Sequence, residues 1–217
     1  MPEQAYIIIV VGAYLLGSIP TGFLVARLRG VDIRTVGSKN MGATNVFRIL
    51  GKGPGTFVLL VDLMKGCGAV LLARYFVRHV MVLEDCDCVW LNQASAPIVA
   101  GLAAILGHNY TCWLGFKGGK GIATTGGVLA ALVPWAFLIG LGAWLVTFVS
   151  TRYVSVASIA AAVSLPFGTW FTTGDLKLTI VAAAMGSLAI YKHKTNIQRL
   201  MTGTESRFNF KKKEATE

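Results

Sequence analysis

Six long apolar stretches dominate this chain, and their length restricts its fold more than any other feature. They run over residues 6–26, 57–76, 94–107, 122–149, 154–171 and 178–191. A helix needs about 20 apolar residues to cross the hydrocarbon core of a bilayer. Backbone exposed to lipid must satisfy its own hydrogen bonds, and a single segment does so only as a helix. The expected fold class is all-α: a polytopic membrane protein with some short or broken helices. Composition agrees. Hydrophobic residues make up 54% and charged residues 14%, whereas soluble domains carry about 25% charged residues. Disorder and an ordinary soluble globule are excluded. A single domain over 1–217 is expected, with 206–217 as a flexible basic tail.

The charges are lopsided, with 20 Lys and Arg against 10 Asp and Glu. Such an excess suits nucleic acid, but in a membrane protein it first marks cytoplasmic loops. It also suits a site for anionic, phosphorylated substrates. The loop after the first stretch holds Arg27, Arg29, Arg34, Lys39, Arg48 and Lys52 against Asp32. The end of the chain holds Lys192, Lys194, Arg199, Arg207, Lys211, Lys212 and Lys213. Both read as cytoplasmic, so the N-terminus is expected outside and the crossings odd in number. No basic region precedes the first stretch, so it is expected to be retained rather than cleaved as a signal peptide. Pro134 divides the 28 residues of 122–149. Two short helices there make about seven crossings and put Ser155 and His193 inside, with Asp85 outside. Pro20 should kink the first helix. Asp62 and Lys65, three apart, should pair on one face near the cytoplasmic end, with their charged heads snorkelling. The four cysteines, including Cys86 and Cys88 beside Asp85, fit no zinc spacing.

The first cytoplasmic loop reads Gly37-Ser38-Lys39-Asn40-Met41-Gly42-Ala43-Thr44-Asn45-Val46-Phe47-Arg48. Small residues leave its backbone amides open. Thr44 or Asn45 should cap a helix starting near Val46. Such a loop running into a helix N-terminus is an anion cradle. Arg48 returns to the face of Thr44 and Asn45, where a guanidinium can grip phosphate through two bonds. A second motif is Gly107-His108-Asn109, then Phe116-Lys117-Gly118-Gly119-Lys120-Gly121. It is no P-loop, since Leu114 stands at the first glycine position and Gly121 at that of Ser or Thr. Two lysines on a glycine hinge can still meet a phosphate. Arg152-Tyr153-Val154-Ser155 reads as a helix start with one topogenic arginine. His193 and Asn196 share a face if helical, although a histidine among lysines is more often a solvated surface residue. No Gly-x-Ser-x-Gly elbow or Rossmann pattern occurs. The His-x4-Asp spacing of many glycerolipid acyltransferases is missing at His108, and His79 with Glu84 is a decoy on the outer side.

These motifs, in this order, resemble the bacterial acyl-phosphate:glycerol-3-phosphate acyltransferase family. The likeness extends from Gly17 to about Glu205. It implies acyl transfer from acyl-phosphate to the 1-hydroxyl of sn-glycerol 3-phosphate, giving lysophosphatidic acid and inorganic phosphate. That reaction is the first acylation of phospholipid synthesis at the bacterial inner membrane. The family needs no cofactor, metal or nucleotide. By resemblance, Ser38, Asn40, Gly42 and Thr44 line the hole for the donor's phosphate, and Asn45 and His108 join the binding set. Arg48, one of Lys117 and Lys120, Ser155, His193 and Asn196 would hold glycerol 3-phosphate. Ser38, Arg48 and His193 carry the catalytic expectation. The donor is already activated, so no nucleophile of the protein's own is needed. The proton of the attacking hydroxyl passes to His193 or to the acceptor's own phosphate. Implied partners are the two substrates, membrane lipids and the enzyme that makes acyl-phosphate, with no nucleic acid.

Two other classes compete. A transporter of phosphorylated solutes suits broken helices, but its ligands belong near the midplane, while every candidate here falls on the cytoplasmic side. An acyltransferase fed by acyl-carrier protein or acyl-CoA suits the basic surface.

Overall fold

The computed structural model describes residues 2–79 and 94–208, and the expectations for Glu84, Asp85, Cys86 and Cys88 lie outside them. The described residues form ten α-helices and one short 3₁₀ turn, with no strand among them. They are α1 (Pro2–Ser18), α2 (Thr21–Arg27), α3 (Ala43–Leu50), α4 (Lys52–His79), α5 (Ala96–Asn109), α6 (Ile122–Leu132), α7 (Pro134–Thr151), α8 (Val154–Thr173), α9 (Leu176–Lys192) and α10 (Lys194–Met201). Four stretches are long and apolar enough to cross a membrane: Tyr6–Arg27, Lys52–His79, Pro134–Thr151 and Val154–Thr173. Leu138, Leu145, Val146 and Val149 of α7 stand exposed, as side chains facing lipid do. The chain is an all-helical, multi-pass membrane protein.

Both prolines act where expected. Pro20 has no amide to donate, and the first helix breaks between Ser18 and Thr21. Pro134 opens α7 after a break at Val133, so the stretch 122–149 is two helices. The loop helix differs from expectation. It starts at Ala43 with Gly42 at its N-cap, and neither Thr44 nor Asn45 caps it. Asn45 has another employment, described below.

The chain divides into two compact units, Met1–Pro134 and Trp135–Glu217. In the first, α5 lies on α1 and α4, and α6 lies on α4. The shared core is small: Ala69, Ala73, Ala96, Ala100, Ala103 and Ala104 are buried together with Tyr6 and Ile9. Apolar helices gain little by leaving lipid for one another, so close backbone packing has to hold them. A side chain on Gly17 would strike the carbonyl of Ala104, and one on Gly107 would strike that of Tyr14. Gly66 lies likewise against the Thr124 carbonyl, and Gly127 against that of Leu63. These are reciprocal contacts, one glycine from each helix.

In the second unit, α8 packs on α9, with Gly186 against the Ala162 carbonyl. The segment after α10 is not wholly a flexible tail. The Phe208 amide donates to the Arg152 carbonyl at 2.8 Å, its ring meets Phe148 edge-on, and Arg207 lies over Tyr153. Arg207 and Phe208 are therefore bound at the α7–α8 turn.

Overpacking a tight contact costs about 1–3 kcal/mol. Gly66→Ala and Gly127→Ala should each lower the thermal midpoint of detergent-solubilised protein by several degrees. Gly142→Ala, where an added methyl meets nothing, should hold or raise it, since alanine is the better helix former by about 1 kcal/mol.

Candidate active site

In the first unit the loop before α3 is built by its asparagines. The buried Asn45 side chain reaches back from α3, and its amide donates to the carbonyls of Ile33 (3.2 Å) and Val36 (3.1 Å). Its oxygen accepts from the Ser38 amide at 2.9 Å. The Asn40 oxygen accepts from the Gly42 amide at 2.8 Å. Two amides of the expected anion cradle are thus already occupied by side chains. Asn45 shapes the loop, and so does the Asn40 oxygen. Ser38, Thr44 and Arg48 are half-buried along its rim. The helical turn places Arg48 on the same face as Thr44, and the amides of Ala43 and Thr44 sit at the start of α3.

Arg34 is spent elsewhere. It grips Asp32 through Nε (2.9 Å) and Nη2 (2.7 Å), and those bonds pull the Asp32 carboxyl down to about 2. Lys39 is exposed and holds φ at 58°, a left-handed conformation that side chains seldom take. Phe116 and Arg152 are the other described non-glycine residues of this kind, at 60° each. All three fall in the motifs picked out from the sequence. Strained backbone of this sort survives where its surroundings over-determine it.

The glycines of the second motif serve close contact rather than a free hinge. The Gly118 amide donates to the Asn109 carbonyl (3.2 Å) and the Gly119 amide to the His108 carbonyl (3.0 Å). A Cβ on Gly118 would strike the His108 carbonyl, and one on Gly119 would strike the imidazole. The loop is laid directly over His108 and Asn109, both buried. Lys117 is exposed and Lys120 half-buried. Beneath His108 lie Asp62 and Lys65, paired at 2.8 Å. They do not snorkel: their side chains are 3% exposed, and Lys65 Nζ donates to the Ile19 carbonyl at 3.1 Å. His79 turns to Tyr75, stacking on its ring.

In the second unit Ser155, His193 and Asn196 are all buried, so His193 is no solvated surface residue. His193 caps both α9 and α10, and its Nδ1 donates to the Ala189 carbonyl at 2.8 Å. That bond leaves the lone pair of the neutral ring on Nε2. Ser155 Oγ (2.8 Å) and Asn196 Nδ2 (2.7 Å) both donate to Glu205 Oε1. Arg199 Nε donates to Oε2 at 3.0 Å. Reasoning from sequence missed Glu205 as a site residue. Its signal was faint: an acid six residues after an arginine in a basic terminal segment. The Arg152 segment is a helix start as expected, and its carbonyl also anchors Phe208.

A membrane protein whose polar motifs combine a glycine-rich loop, loop lysines and a buried histidine–asparagine pair has the makings of a lipid-modifying enzyme for phosphorylated substrates. The comparisons with known proteins are specific. Residues 7–203 match the family model described as glycerol-3-phosphate acyltransferase. A glycerol-3-phosphate acyltransferase of Desulforamulus reducens is 45% identical over 207 residues, covering 95% of this chain and 96% of the relative. One from Geotalea daltonii is 45% identical over 202 residues, covering 93% and 97%. Among solved structures, PlsY (YgiH), an integral membrane glycerol 3-phosphate acyltransferase, aligns in its glycerol 3-phosphate form with a TM-score of 0.82 and 41% identity, covering 94% of this chain and 96% of the other. Its lysophosphatidic acid form aligns with a TM-score of 0.79 and 40% identity, covering 94% and 95%. The chain belongs to the glycerol-3-phosphate acyltransferase family.

Burial pushes the Glu205 carboxyl up, but hydrogen bonds from Asn196 and Ser155 and the charge of Arg199 outweigh it and hold the group below its usual range. A lowered pKa in the folded state adds stability that is present above the unfolded value, about 4.3, and lost as pH falls through the folded one. Glu205→Gln should therefore lower the thermal midpoint at pH 7. The gap to the wild type should narrow progressively below about pH 4. A gap that stays constant down to pH 3 would remove the carboxylate as its source.

Proposed function

We propose that this protein transfers an acyl group from acyl-phosphate to the 1-hydroxyl of sn-glycerol 3-phosphate, giving 1-acyl-glycerol 3-phosphate and inorganic phosphate. Family membership over residues 7–203 carries the reading. It is supported by solved relatives described in glycerol 3-phosphate and lysophosphatidic acid forms. The site lies on the cytoplasmic side of the bacterial inner membrane, and the reaction is the first acylation of phospholipid synthesis.

In the first unit, Ser38, Thr44 and the amides at the start of α3 receive the donor's phosphate, in a loop shaped by Asn40, Gly42 and Asn45. Arg48 and one of Lys117 and Lys120 hold glycerol 3-phosphate, with His108 supporting the lysine loop. In the second unit, Ser155, His193 and Asn196 are the residues of phosphate-binding type, by the family resemblance. The acceptor's 1-oxygen attacks the acyl carbon, and the bond from that carbon to the phosphate oxygen breaks. Phosphate leaves with its charge stabilised by the loop donors. The hydroxyl proton passes to the acceptor's phosphate, which is largely dianionic at neutral pH because its second pKa is about 6. His193 orients that phosphate.

Purified protein given glycerol 3-phosphate should form lysophosphatidic acid from acyl-phosphate, with chelator present and without ATP or CoA. Strict dependence on acyl-CoA, acyl-carrier protein or a metal would defeat the assignment. In the same assay Arg48→Lys keeps the charge but loses the planar fork. Losing one charge-assisted bond of about 1.5–3 kcal/mol should cut kcat/KM by about 10–150-fold. Arg29→Lys, in the same loop but outside the motif, should change little.

Seven crossings, with the N-terminus outside and the C-terminus inside, complete the reading. Arg152 is exposed at the α7–α8 turn. Arg152→Cys, in a background without native cysteines, should resist an impermeant thiol reagent in intact cells and react after lysis. Labelling from outside would refute this orientation.

A further inference from the structure

The proposed reaction leaves Asp62 and Lys65 without a task. They form an ion pair in which both side chains are almost fully buried. A buried pair rarely stabilises a fold better than well-packed apolar side chains do. Its placement offers another use.

Two chains of contact leave this pair and end in the same loop. On one side Asp62 Oδ1 lies 3.7 Å from His108 Nδ1, side by side but beyond hydrogen-bond distance. The His108 carbonyl holds the Gly119 amide, and its ring is covered by Gly119 itself. On the other side Lys65 donates to the Ile19 carbonyl in the α1–α2 break. Next to it, the Ser18 carbonyl takes the Thr111 hydroxyl at 2.6 Å, and the Thr111 carbonyl takes the Phe116 amide at 2.9 Å. The loop bearing Lys117 and Lys120 is thus tied at Phe116 and at Gly119, and both ties run back to one ion pair.

We propose that Asp62 and Lys65 are positioning residues for the reaction: they fix His108 and the helix break together, and so set where the Lys117–Lys120 loop presents its ammonium group to glycerol 3-phosphate. This rests on the reading of that loop as an acceptor-binding element. Truncating one partner alone would strand a buried charge and risk misfolding. The test therefore uses Asp62→Asn/Lys65→Gln, which removes both charges, together with Asp62→Glu, which retains the carboxylate.

Displacement of a binding group by about 1 Å costs up to roughly 100-fold. In the double variant KM for glycerol 3-phosphate should rise at least roughly tenfold while KM for acyl-phosphate stays near that of the wild type. Asp62→Glu should recover most of the difference. A second readout needs no activity: trypsin should cut after Lys117 and Lys120 faster in the double variant, with cutting after Arg29 unchanged. A role in stability alone predicts fewer active molecules with both KM values intact, and that result overturns the proposal. Unchanged cutting at the loop overturns it too. If the wild type makes no lysophosphatidic acid from any donor, the proposed function fails, and the cutting rates alone decide the positioning role.

Discussion

A proline inside a membrane helix creates a debt of hydrogen bonds that lipid cannot settle. Pro20 ends α1 and takes the Ser18 and Ile19 carbonyls out of the helical pattern, and the Thr21 amide donates to that of Ile19 at 3.0 Å. Each unsatisfied group there costs several kcal/mol. Thr111, from the segment after α5, donates to the Ser18 carbonyl, and Lys65, from the middle of α4, adds a second bond to that of Ile19. The break thus binds three parts of the first unit to one point. Tyr14 and Ser18 add further ties to the Tyr110 and Gly107 carbonyls. These polar contacts need the backbones close, and Gly17 and Gly107 let α1 and α5 approach.

The same economy of space governs the loops. Glycine-rich motifs are commonly taken as flexible, yet here several glycines lie against another backbone or ring. Gly118 and Gly119 are pressed on His108, and Gly42 gives its amide to Asn40. Left-handed backbone at Lys39 and Phe116 is tied by their amides to the Val36 and Thr111 carbonyls. A loop stiffened before substrate arrives has less reorganisation to undergo when charge develops in a transition state.

The second unit uses a carboxylate for a similar end. Glu205 collects Ser155, Asn196 and Arg199 from α8 and α10. Its short segment is anchored beyond it by Phe208 and Arg207 on the α7–α8 turn. The motif residues of this unit therefore depend on a piece of chain that looked like a loose tail.

Much was legible in advance because it follows from local chemistry. Apolar run lengths, a missing amide at Pro20 and Pro134, and the i,i+3 spacing of Asp62 and Lys65 are properties of the chain alone, and they dictated the helices, the breaks and the ion pair. The ordered motifs around Ser38, Lys117, Ser155 and His193 carried the family. What the sequence could not disclose depends on groups distant along the chain. Asn45 looked like a helix cap or ligand, but Ile33 and Val36 sit within reach only after the loop folds, and they claim its side chain. Lys65 looked free to snorkel until the Ile19 carbonyl, 46 positions away, offered it a buried acceptor. Glu205 carried no evident role until Ser155, 50 positions away, came within 2.8 Å. Composition and spacing set which residues can pair, and tertiary structure alone decides which do, because a buried polar group takes whichever partner packing brings within hydrogen-bond distance.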